Sequence, residues 1–187
     1  MSWTSAITTS GLALLAALPG HKLNFTKAVC GTASTASALS SLTALTAYKM
    51  DLSITELTSD GSTATVRVQI SNSSVATAFN LYQIGLYAQM DDGAPVLFAV
   101  WQTDTAVRIP NVTESKQMTI DYLLNVTAGN ASSITANIDT AAMATVGMIN
   151  NIAYSTPITE WYWHADGQHR DRKPDGYPVQ RHSQRRI

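Results

Sequence analysis

The chain has 187 residues, 45% of them hydrophobic and only 13% charged, with a formal net charge of −1. That length suits one domain with an appendage and a sizeable core, and the charged share is about half of what is usual. No apolar run is long enough to span a membrane bilayer, and a basic tail with no aromatic interleaving beyond Tyr177 argues against nucleic acid as its partner, ranking it behind an acidic protein surface or solvent. Ser, Thr, Ala and Asn fill the gap left by charge, which suits a chain held within an assembly; a soluble β-rich domain with an unusual surface is the alternative. The charge is uneven. Residues 164 to 187 hold six basic and three acidic residues, and residues 1 to 163 hold six basic and ten acidic ones. A single cysteine, Cys30, allows no intrachain disulfide and fits folding in a reducing cytoplasm.

Residues 8 to 18 predict a short helix, capped by Thr9 or Ser10, with Leu12, Leu15, Ala16 and Leu18 as its apolar face. Its GLALLAALPG core has no basic residue before it, so it does not read as a signal peptide. Pro19-Gly20 ends it, and KLNFTKAV, residues 22 to 29, predicts a strand closed by Gly31. Residues 35 to 48 suggest a second helix from Leu39, Leu42 and Leu45, against a Ser/Thr content that disfavours one. From Met50 the period becomes two: a strand through Leu57, a turn at 59 to 62, and a half-solvated strand with Ala64, Val66, Val68 and Ile70 on one face. A hairpin follows over Phe79 to Gln102, turned at Asp91-Asp92-Gly93 and apolar on both faces, which requires a cover on each side. Met118 to Leu124 and Ile134 to Ile138 predict two more strands. A helix from Asp139 or Thr140 to about Ala153 carries a narrow stripe of Met143, Val146 and Ile149, suited to a coiled-coil seam. Beyond Pro157 the basic tail has no apolar period and is expected to hold little structure. The resulting fold class is α+β: an antiparallel β-sandwich-like domain over 1–153, with a short N-terminal helix and a C-terminal helix leading to an extended segment, 154–187.

No catalytic constellation emerges. His164, His169 and His182 lie in the tail and His21 in a loop, whereas a nucleophile and its base must converge on one rigid pocket. Cys30 reads as a small buried hydrophobe. Asp91 and Asp92 could approach a cation, but turn geometry explains them. His164, Asp166 and His169 lack a specific metal spacing, and no Gly-rich phosphate loop is present. No cofactor, metal or enzymatic activity is expected. The five Asn-x-Ser/Thr triplets arise readily in so Ser- and Thr-rich a chain.

ITTSGLALLAALPGHKLNFTKAVCGTA, residues 7 to 33, resembles the opening of phage tail-collar fibre proteins. The similarity resumes at FNLYQIGLYA, residues 79 to 88, and runs through the acidic turn and the LFAV strand. DTAAMATVGMINN, residues 139 to 151, resembles the point where these proteins enter their trimer-forming stalk. Gln83 departs from the family, which often carries Glu there. The resemblance implies a non-enzymatic structural subunit of a virion tail, assembled in the host cytoplasm. As a homotrimer it would attach a fibre or tip protein to baseplate proteins, and so meet the host surface only indirectly. In that setting Tyr82, Tyr87 and Trp101 are the expected aromatic anchors of the hairpin against a neighbouring subunit or baseplate socket. Met143, Val146 and Ile149 would start the trimer axis. Trp161, Tyr162 and Trp163 would anchor a connector that Arg170, Arg172, Arg185 and Arg186 steer and pair with carboxylates. The alternative is a short receptor- or glycan-binding protein at the tail tip.

Overall fold

The computed structural model describes residues 2–140 and 142, except Gly61, Gln117 and Asn130, together with 161–163 and 169–171. The chain divides into two compact units, Met1–Met143 and Ala144–Ile187.

The first unit is mostly antiparallel β with one short helix. Its elements are β1 (Trp3–Ile7), α1 (Thr9–Ala17), β2 (Lys22–Gly31), β3 (Tyr48–Ser59), β4 (Thr63–Ser71), β5 (Phe79–Met90), β6 (Val96–Ile109), β7 (Thr119–Thr127) and β8 (Ser133–Ala136). They form one sheet in the order β1-β6-β5-β2-β3-β4-β7, with β8 lying parallel to the start of β2. The two layers expected of a sandwich are therefore halves of one curled sheet. Strand β3 joins them, pairing with β2 through Tyr48–Leu52 and with β4 through Ser53–Ser59. The curl brings the two end strands together, and the rings of Trp3 on β1 and Tyr122 on β7 meet edge to face at 5.5 Å.

The concave side holds the main core: Leu23, Phe25, Ile54, Val66, Val68, Ile70, Leu81, Ile84, Leu86 and Phe98 are all buried within it. Helix α1 packs on this core through Leu14, Leu15 and Leu18, with Gly11 also buried. These positions recur at i, i+3, i+4 and i+7, a better helical face than the one read from sequence. Leu12, assigned to that face, is instead 53% exposed. The cap is Thr8, one residue earlier than expected; its hydroxyl accepts from the Gly11 N–H at 3.0 Å and donates to the Leu97 carbonyl.

Residues 35 to 48 are not a helix. They form an extended strap with one 3-10 turn, Leu39–Ser41. Ser and Thr compete with helical hydrogen bonds, and here Thr35 Oγ1 accepts from the Ser37 N–H while the Ser41 hydroxyl donates to the Ala38 carbonyl. Of the expected C-terminal helix, Asp139 and Thr140 are not helical; Asp139 accepts a 2.6 Å hydrogen bond from the Ser53 hydroxyl, and its remaining turns lie outside the described residues. In the second unit Trp161–Trp163 (β9) and His169–Asp171 (β10) pair antiparallel, with Trp163 opposite His169. The tail was expected to hold little structure of its own.

Candidate functional site

The hairpin β5–β6 does have two buried faces, and both covers belong to the same chain. The concave face carries Ile84, Leu86, Ala88, Phe98 and Ala99 into the main core. Behind it, Val29, Leu97 and Val100 form a second cluster with Leu45, against which Leu39, Leu42 and Tyr87 pack. The strap 32–47 is thus the second cover. Leu39, Leu42 and Leu45, whose steps of three suggest a helix, lie in this strap.

Simple alternation also misassigned the faces, because each strand switches phase. The ladder skips Thr26 on β2 and Phe98 on β6, and between the Leu81–Val107 and Gln83–Gln102 pairs it skips Tyr82 on β5 against residues 103 to 106 on β6. An extra residue in one strand reverses which side the following side chains occupy. Leu81 therefore shares the concave core with Ile84 and Leu86, whereas Tyr87 faces the strap.

The strap is fixed by two side-chain amides, one of them buried. Gln83, fully buried, accepts from the Thr46 N–H through Oε1 at 2.8 Å and donates from Nε2 to Gln102 Oε1 at 2.8 Å. Gln102 Oε1 also accepts the Thr35 N–H at 2.8 Å, and Gln102 Nε2 donates to the Thr35 carbonyl at 3.0 Å. Both ends of the strap are held across one register pair of the hairpin. A carboxamide supplies donor and acceptor together at position 83, which an ionised carboxylate cannot.

The three expected aromatic anchors are half-buried and are not brought together. Tyr87 lies under the strap, with Lys27 Nζ 5.0 Å from its ring centre and its phenol pushed up by burial. Tyr82 sits at the β5 phase switch. Trp101 packs on the main core and also lines a cavity of about 240 Å³ between β1 and β7. Met143, Val146, Ile149, Arg172, Arg185 and Arg186 lie outside the described residues; Trp161, Tyr162, Trp163 and Arg170 belong to the β9–β10 ladder.

A polar cleft of about 570 Å³ opens where β8 joins β2, lined by Lys22, Asn24, Gln89, Asp92, Thr135 and Asn137. At its rim Asp91 accepts the Lys22 N–H at 2.9 Å and pairs with His21 Nδ1 at 2.7 Å. These contacts, the backbone one foremost, hold its carboxyl below the usual carboxylate range. Both Asp91 oxygens are thereby engaged, and its left-handed φ of 48° marks it as the turn residue the sequence suggested. No group of three or more metal-ligating side chains occurs among the described residues. Cys30 is fully buried, and desolvation pushes its thiol up to about 11, as expected of a structural cysteine.

Sequence reasoning missed Asn72, whose triplet resembles a glycosylation site. Its amide is fully buried, accepting the Met118 N–H at 2.6 Å and donating to the Ser115 carbonyl at 2.9 Å. It organises the loop between β6 and β7. No protein-family model matches the sequence, and neither a curated protein nor a solved structure shows significant similarity to it.

Proposed function

We propose that this chain is a non-enzymatic structural subunit of a phage or phage-derived tail, a homotrimeric attachment protein that joins a fibre or tip component to the baseplate. The observation that carries this reading is that the two separated segments resembling tail-collar fibre proteins fold into one packed module. Helix α1 seats on β6, β2 pairs with β5, and β5 with β6. Its glycines have physical reasons to be there. A Cβ on Gly11 would lie 2.2 Å from the Phe98 carbonyl oxygen, one on Gly31 2.7 Å from the Thr46 oxygen, and one on Gly85 2.9 Å from Leu45 Cδ2. A sparsely charged surface with no reason to stay free in solution supports the same reading.

In this account the helix bearing Met143, Val146 and Ile149 starts the trimer axis, and residues 154 to 187 form the connector to the next protein. The finer expectation of a sandwich-like attachment domain ending in a stalk helix belongs with it. The polar cleft has no aromatic wall, so it gives little support to glycan binding at the tail tip. The reading is tested by electron microscopy of purified particles with an antibody against folded residues 1–143. Label at the baseplate end of the tail is the expected result. Intact particles that lack the protein would overturn it.

A further inference from the structure

The strap 32–47 leaves the sheet after Gly31 and rejoins it at Tyr48. Its ends meet in a neck, where the Ala47 carbonyl accepts the Thr32 N–H at 2.9 Å and the Thr32 hydroxyl at 3.3 Å. A loop closed at its ends in this way is a compact unit of its own. Of residues 32 to 47 only Leu45 is buried. Beyond the neck, and among the described residues, its main chain is tied to the body at three places. Gln102 holds Thr35, Gln83 holds Thr46, and the Thr9 hydroxyl donates to the Ser40 carbonyl at 3.0 Å. The strap therefore carries no rung of any ladder. Its leucines belong to the outer cluster alone, so losing their contacts leaves the main core and the β2–β5–β6 ladders in place. One end of the neck is strained: Ala47 has a left-handed φ of 51°, a conformation that is costly for an L-residue. Strain of this kind persists only where the surrounding contacts impose it.

We propose that the strap is a lid, which opens as one unit about Gly31 and Ala47 while the sheet beneath it stays folded. A segment with few buried side chains and little main-chain pairing opens at a lower free energy than the whole domain unfolds. Return of Ala47 to an ordinary φ favours the open form and swings away the chain that precedes β3. Opening bares Val29, Leu97 and Val100, an apolar face of the kind that associates with other apolar surfaces. The closed lid keeps that face out of reach, and the Gln83 and Gln102 amides are its latch. The inference goes beyond the tail reading and stands without it.

The test exploits two neighbours on β2 that face opposite ways, Val29 toward the strap and Cys30 into the main core. In the full chain carrying Val29→Cys, Ellman's reagent reads lid opening through the introduced thiol and global unfolding through Cys30. The proposal expects the introduced thiol to react at least tenfold faster than Cys30, and at least tenfold slower than it does in urea. Adding Ala47→Gly should slow the introduced thiol by about fivefold, the strain removed less the freedom that glycine gains in the open lid. In the unsubstituted chain, amide exchange resolved by residue should give Thr35 and Thr46, near opposite ends of the strap, one common protection factor. That factor should lie at least tenfold below those of Ile84 and Leu86. Equal rates for the two thiols, an introduced thiol as reactive as in urea, or a rate that Ala47→Gly leaves unchanged or raises would overturn the proposal. So would different protection factors for Thr35 and Thr46, or a common one equal to that of the hairpin, and this measurement decides alone if Val29→Cys fails to fold.

Discussion

Replacing Gln83 with Glu tests the amide network in a way that gives pH a definite sign. Gln83 is fully buried, and its Nε2 donates to an oxygen that already accepts the Thr35 N–H. An ionised carboxylate in its place keeps the Thr46 N–H but sets a charge against Gln102 Oε1; the protonated acid restores the donor. The folded state thus raises the pKa of the introduced carboxyl above its unfolded value of about 4.3. Below that value both states are protonated and Q83E costs little. Above it the penalty grows by about 1.4 kcal/mol per pH unit until the folded pKa is reached. With a folded pKa near or above 7 the loss at pH 7 is about 3 to 4 kcal/mol, lowering the melting temperature by about 6 to 16 °C at 2–4 °C per kcal/mol. Melting of wild type and Q83E by circular dichroism from pH 4 to pH 7.5 is the assay. Curves that stay superimposed at pH 7, or a deficit that does not change with pH, would refute the network as described.

Other substitutions separate backbone contact from side-chain contact. Gly11→Ala drives a methyl into the Phe98 carbonyl, whereas Gly85→Ala meets only the ends of Leu45 and Leu97; in urea melts the second should cost about 1–3 kcal/mol and the first clearly more. Leu45→Ala, at a position only 8% exposed in the outer cluster, should cost about 2–5 kcal/mol and speed amide exchange across residues 32–47. Cys30 should resist Ellman's reagent in the native protein at pH 8 and react fully in urea, since burial disfavours its thiolate. Asp91 should titrate below the usual carboxylate range by NMR, with its contribution present at neutral pH and lost as pH falls through that low midpoint; His21→Ala should raise the midpoint.

The strands of the first unit were legible wherever one face is wet. On β4, Ala64, Val66, Val68 and Ile70 turn inward while Thr65 and Arg67 stay part-exposed, so period two is plain. On the hairpin both faces are dry, and nothing in the sequence marks the phase switches at Tyr82 and Phe98, or the one at Thr26 on the neighbouring β2. Leu39, Leu42 and Leu45 illustrate a different limit. Spacing of three serves a helix and a strap with a 3-10 turn equally, and only the apolar surface of Val29 and Val100 beneath decides between them. Strand β1 went unread because Trp3–Ile7 is defined by pairing with residues 99 to 103, far along the chain. The parallel placement of β8 beside β2 likewise has no local signature. Of the candidate site, Cys30 and the Asp91 turn were legible from local chemistry, while Asn72 and the Gln83–Gln102 pair act through distant backbone groups.

The account rests on the hairpin being sealed by its own strap rather than by a neighbouring chain. Amide exchange of residues 84 to 101, followed as the protein is diluted from tens of micromolar to tens of nanomolar with its mass measured alongside, tests this most directly. Protection that survives in the monomer is the predicted result. Protection that collapses as the protein becomes monomeric would show that another chain provides the cover, and would contradict the account.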